Sequence, residues 1–115
     1  MKKTAFLLLG ILFFFAQCAQ QKSVDFRTLA QQPNTAIIDV RTTEEFAAGH
    51  IPQSINIPLH TLLDSVEDLR EFETLILICR SGNRSGQAKV LLQERGFENV
   101  FNGGGWEVFQ RRYLN

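Results

Sequence analysis

The chain has 115 residues and a formal net charge of zero, with 44% apolar and 21% charged residues. That length supports one compact domain and excludes several. The charge balance excludes a basic surface that would select nucleic acid, and the composition is that of a globular protein.

The chain opens with "MKKTAFLLLGILFFFAQC". Lys2 and Lys3 precede an acid-free apolar run from Ala5 to Ala16, interrupted only by Gly10. The run is shorter than the roughly 20 residues of a membrane-spanning helix. It fits the apolar core of an export signal. A buried N-terminal helix would show an amphipathic stripe, and Leu7 to Phe15 shows none. The segment resembles a bacterial lipoprotein signal, in which the cysteine after the apolar run is acylated and becomes the new N-terminus. Cys18 is that candidate, although Gln17 stands where a small residue is usual. Soluble export and an uncleaved anchor stay open as alternatives. The expected organisation is an export signal over 1–17, a tether over 18–23 and a folded domain over 24–115. The expected location is the periplasm or cell envelope, with membrane attachment only through a lipid on Cys18. Loss of 1–17 removes two lysines and leaves a slightly acidic domain. With Cys18 acylated or removed, Cys79 is the one free thiol, which is unusual in an oxidising compartment.

In chain order, Asp25 caps a short helix through Ala30, and Pro33-Asn34 ends it. "AIIDV" (36–40) reads as a buried strand. Thr42 or Thr43 caps a helix over "TEEFAAG", which Gly49 stops. "SINIP" (54–58) is a second strand. "LHTLLDSVEDLREF" (59–72) places Leu59, Leu62, Leu63, Val66 and Leu69 at helical spacing and predicts an amphipathic helix. "TLILIC" (74–79) is a third buried strand. "SGQAKVLLQERGF" (85–97) is a helix with Ala88, Leu91 and Leu92 inward and Gly96 as its stop. "NVF" (99–101) is a fourth strand, and "GGGWEVFQRRY" (103–113) opens with glycines and continues as a last helix. Strands alternating with helices predict a single α/β domain with a mainly parallel sheet covered on both faces.

Ligands of such sheets bind at the carboxyl ends of the strands. Cys79 ends the most apolar strand, and "CRSGNRS" joins it to the next helix. Backbone amides between Arg80 and Ser85 can curl around the sulfur as an anion nest. The helix start near Arg84 or Ser85 adds its positive end, and Arg80 and Arg84 add formal charge. These effects favour thiolate and hold the thiol below the ~8.5 of a free cysteine. Gly82 permits a left-handed turn at the apex. Ser81, Asn83 and Ser85 offer hydrogen bonds without bulk. A buried strand-end cysteine beside solvated arginines is the common alternative for Cys79 alone. The loop bridging strand and helix outweighs it. A cysteine protease would need a paired histidine, and neither His50 nor His60 lies in such a context.

"CRSGNRS", together with "IIDVRTTEEFAAGHIPQSINIP" and "NGGGWEVF", resembles the rhodanese family: its active-site loop, its upstream signature and its closing glycine-and-tryptophan segment, in the family's order from Ile37 to Phe109. The likeness is greatest to small single-domain exported sulfurtransferases. It implies a parallel-sheet α/β fold. No cofactor is expected, and the sequence carries no metal constellation. The likeness also implies sulfur transfer through a persulfide on Cys79, with Arg80, Ser81, Gly82, Asn83, Arg84 and Ser85 around the donor. The partners implied are a small sulfur donor such as thiosulfate and a thiol, or thiol-bearing protein, as acceptor. From Cys79 to Arg84 the loop has six residues. Phosphatases and arsenate reductases of this fold have one more, making room for a tetrahedral oxyanion, so six favours sulfur transfer. A non-catalytic persulfide carrier is the competing reading. Outside the loop, Asp39 and Arg41 are expected to pair with each other or with backbone. His50 reads as a hydrogen-bonding turn residue, Glu45 and Phe46 as helix surface and core, and Trp106 as core or pocket rim. Gly103 to Gly105 are expected to let the chain pass close to the loop.

Overall fold

A computed structural model describes residues 23–115. The expected export signal and Cys18 lie outside the described residues. The elements are α1 (Phe26–Gln31), β1 (Thr35–Asp39), α2 (Thr43–Ala48), β2 (Ile55–Asn56), a 3-10 segment (Leu59–Ser65), α3 (Val66–Leu69), β3 (Thr74–Cys79), α4 (Asn83–Glu94), β4 (Val100–Gly105), α5 (Trp106–Phe109) and a terminal π turn (Gln110–Leu114). All strand pairs are parallel, in the order β2-β1-β3-β4.

The strands β1 and β3 are buried on both faces, which is why they read as unbroken apolar runs. Alternate residues serve opposite layers. Ala36, Ile38, Val40, Leu75, Leu77 and Cys79 join Leu62, Val66, Leu69, Ala88 and Leu92 on one face. Ile37, Ile76 and Ile78 face Ile51 and Phe109 on the other. The period of two therefore directs the Cys79 side chain towards α4, with only 1% of the residue exposed.

Local signals explain several boundaries. Asp25 accepts the Thr28 N–H at 3.2 Å and starts α1. Asn34, at φ 58°, turns the chain into β1. Thr42 and Glu45 form a reciprocal capping box at the start of α2, and Gly49 ends it.

Four expected elements are corrected. The segment 59–72 is a 3-10 run followed by one short turn of α-helix. Leu62, Val66 and Leu69 are still buried, because burial at three and four spacing needs only a helical turn on the core side. Gly103 to Gly105 extend β4 instead of opening the last helix. They do so across a bulge, where Leu77 pairs with Asn102 and Ile78 already pairs with Gly104. A side chain at Gly103 would meet Ile76 at 2.9 Å and Ile78 at 3.0 Å, so only glycine lets the strand close there. Strand β2 keeps two of its five expected residues. Helix α4 begins at Asn83, slightly earlier than predicted, and Leu91 on it is only partly buried.

Candidate active site

Cys79 is the last residue of β3 and pairs with Gly105 of β4. The chain then turns through Arg80, Ser81 and Gly82 into the 12-residue α4. Gly82, at φ 98°, makes that turn in the left-handed region. Its backbone N–H donates to Cys79 Sγ at 3.0 Å. The buried Ser85 hydroxyl lies 3.3 Å from the same sulfur. The loop is clamped from the β4 side, since a side chain at Gly105 would sit 2.8 Å from the Arg80 carbonyl oxygen. The glycines that end β4 do bring the chain against the loop, as expected.

Burial pushes the Cys79 thiol up. Hydrogen bonds from the Ser85 hydroxyl and from the amides of Ser85, Ser81 and Gly82 push it down and prevail, leaving it below the usual thiol value. Of the expected ring of amides, that of Gly82 donates to the sulfur, at the start of α4.

The loop residues fall into three groups. Gly82 and Ser85 touch the sulfur. Arg80, Ser81 and Asn83 are exposed, and Asn83 accepts a hydrogen bond from Gln87. Arg84 turns to α2, where its guanidinium donates to both carboxylate oxygens of Glu45 at 2.6 and 2.9 Å. That bidentate contact holds Glu45 down to about 2 and pushes Arg84 up. Glu45 is therefore an ion-pair partner of the loop as well as a helix cap. Nothing local foretold this, because the two residues lie 39 positions apart. Among the described residues Arg80 makes no ion pair.

A cleft of about 320 Å³ flanks the loop, lined by Arg41, Glu45, Gly49, Arg80, Trp106 and Glu107, among others. Cys79 is not among its lining residues. Arg41 lines it and donates to both oxygens of Asp39 at 2.7–3.0 Å. Arg41 also donates to the Gly49 carbonyl at 2.7 Å and lies over the Trp106 ring at 4.7 Å. The expected Asp39–Arg41 pairing and the rim position of Trp106 are both present. His50 bonds the Phe46 carbonyl at 2.7 Å and stacks on the Phe46 ring, as a turn residue. Among the described residues no three His, Cys, Asp or Glu side chains converge as metal ligands.

This geometry agrees with comparisons to known proteins. The profile described as a rhodanese-like domain matches residues 23–112. The chain belongs to the rhodanese-like domain family. It is 37% identical over 70 residues to the thiosulfate sulfurtransferase PspE of Escherichia coli, covering 59% of this chain and 67% of that protein. It is 29% identical over 84 residues to the thiosulfate sulfurtransferase GlpE of Pseudomonas syringae, covering 72% and 79%. A solved rhodanese with anions from E. coli superposes with a TM-score of 0.59 at 35% identity, covering 64% of this chain and 88% of that one.

Proposed function

We propose that the protein is a sulfurtransferase that carries sulfane sulfur as a persulfide on Cys79. The thiolate attacks the outer sulfur of thiosulfate or a similar anionic donor. A new S–S bond forms at Cys79, the donor's S–S bond breaks, and its electron pair leaves with sulfite. The charge of the thiolate passes to the outer sulfur of the persulfide. An acceptor thiol, or cyanide in an assay, then removes that sulfur and regenerates the thiolate. The observation that carries this reading is the Gly82 N–H aimed at Cys79 Sγ at 3.0 Å, at the start of α4. An amide and a helix N-terminus facing one sulfur favour an anion on it in the thiolate state and one bond away from it in the persulfide state.

The cations divide the work. Arg80 is exposed, lines the cleft and is free of ion pairs among the described residues, so it meets the dianionic donor first. Arg84 supplies charge already shared with Glu45, and its pairing orients the loop.

The test is intact mass on the full chain carrying Cys18→Ser, so that Cys79 is the sole thiol. Thiosulfate should add one sulfur, ~32 Da, and cyanide should remove it. Cys79→Ser should show neither. No gain in the parent chain, or a gain in Cys79→Ser, would reject the mechanism. A gain that no small acceptor reverses would favour a carrier that hands sulfur to a protein. We also propose export, with acylation at Cys18. Recovery of an unprocessed, unacylated N-terminus from cells would overturn that part.

A further inference from the structure

Asn102, on β4, is braced by three groups. Its Nδ2 donates to the Gly82 carbonyl at 3.0 Å. Its Oδ1 accepts the Gly104 N–H at 3.0 Å and lies 2.7 Å from Ser85 Oγ. This fixes the amide orientation. Turned over, its NH₂ would face the Gly104 N–H and its oxygen would face the Gly82 carbonyl. Oδ1 is therefore the acceptor, and the Ser85 hydroxyl donates to it. Ser85 is fully buried, so no water competes for that hydroxyl.

A hydroxyl has one proton. While Asn102 holds it, Ser85 can only accept from the Cys79 S–H, across 3.3 Å. A sulfur anion at the same place needs a donor. Ser85 supplies one only by rotating its proton away from Asn102. Asn102 Oδ1 is not stranded when that happens, because the Gly104 N–H still bonds it.

We propose that Asn102 is a positioning residue that competes with Cys79 for the single Ser85 proton. It holds that proton while the sulfur is a thiol and yields it when the sulfur is an anion. On ionisation the thiol proton leaves to water and the Ser85 O–H turns to sulfur; only the S–H bond breaks. After sulfur transfer the charge sits one bond farther out, and the Ser85 proton returns to Asn102. That last step rests on the sulfurtransferase reading, whereas the protonation step does not.

The test uses the full chain with Cys18→Ser and no sulfur donor. Alkylation of Cys79 by iodoacetamide is followed by mass against pH in the parent, Ser85→Ala, Asn102→Ala and the double variant. Freeing the Ser85 proton should move the Asn102→Ala profile to lower pH, with alkylation at pH 7 faster by about threefold or more. Ser85→Ala should move the profile the other way. In the Ser85→Ala background, Asn102→Ala should change the rate by less than about 1.5-fold, since no proton remains to compete for. An equal change in both backgrounds would mean that Asn102 acts through the backbone of Gly82 and Gly104, and would overturn the proposal. Slower alkylation in Asn102→Ala would overturn it too. If that variant fails to fold, Asn102→Ser, whose shorter side chain leaves the reach of Ser85, reads the same coupling. With no donor present, failure here leaves sulfur transfer by Cys79 standing, and failure of the mass experiment leaves this proton exchange standing.

Discussion

Two arginine–carboxylate pairs border the same cleft, and they differ in burial. Asp39 and Arg41 are 0% and 4% exposed. Arg84 and Glu45 leave about a third of each side chain in solvent, 31% and 30%. The buried guanidinium meets two carboxylate oxygens, the Gly49 carbonyl and the Trp106 ring. It ties β1 to the end of α2 and to the start of α5. The half-exposed guanidinium meets one carboxylate and ties the loop to α2. A buried pair is costly to split, because the survivor is an uncompensated charge in a low dielectric. A half-exposed pair is screened and can change without unfolding the domain. The first pair therefore shapes the cleft, and the second sets its charge.

The largest expected effect follows from the buried pair. Arg41→Met should cost about 3–5 kcal/mol of stability by leaving Asp39 alone, measured as a lower urea midpoint at unchanged slope. A loss below ~1 kcal/mol would erase the distinction between the pairs.

A smaller effect tests the second pair in both directions. Arg84→Ala leaves Glu45 as a net negative charge on the cleft, and the KM for thiosulfate should rise by about fivefold. Glu45→Gln leaves Arg84 as a net positive charge and keeps the capping box on Thr42, so the KM should fall by a similar factor. Movement of both values in the same direction would show that the pair acts by holding the loop's shape and not by charge.

The smallest effect is acid sensitivity. Arg84 holds Glu45 down to about 2 against an ordinary value of 4.5. A carboxylate with a depressed folded value stabilises fully above its unfolded value, and the contribution disappears as pH falls through the folded one. The Glu45 contribution should thus fade between about pH 4.5 and 2. At this exposure it is under ~1 kcal/mol. Urea midpoints of the parent and Glu45→Gln should differ above that window and converge below it. A constant gap would exclude titration of Glu45 as the cause.

Much of this site was legible in the chain itself. The apolar run of β3 ends at Cys79 because the run and the strand are one object. The loop of small residues after it has one geometry that returns the backbone to a helix, with Gly82 left-handed at its apex. Thr42 and Gly49 bound α2 through contacts within a few residues. The short β2, the split of 59–72 and the extension of β4 through three glycines were not legible. Each is settled by a neighbouring element: the register with β1, the core beneath Leu62 and Val66, and the side chains of Ile76 and Ile78 against Gly103.

What the sequence determined by itself was the alternation of strands and helices, the strand-end position of the thiol and the polarity of the loop beside it. These rest on interactions between residues close in the chain: period, caps, turns and propensity. Only the tertiary structure decided which carboxylate holds Arg84, that Trp106 covers Arg41, and that Asn102 reaches the Ser85 hydroxyl. Those contacts join positions 17 to 65 residues apart, read from the numbering of the pairs. No local pattern marks them, because they exist only once the parallel sheet has brought the carboxyl ends of its strands together.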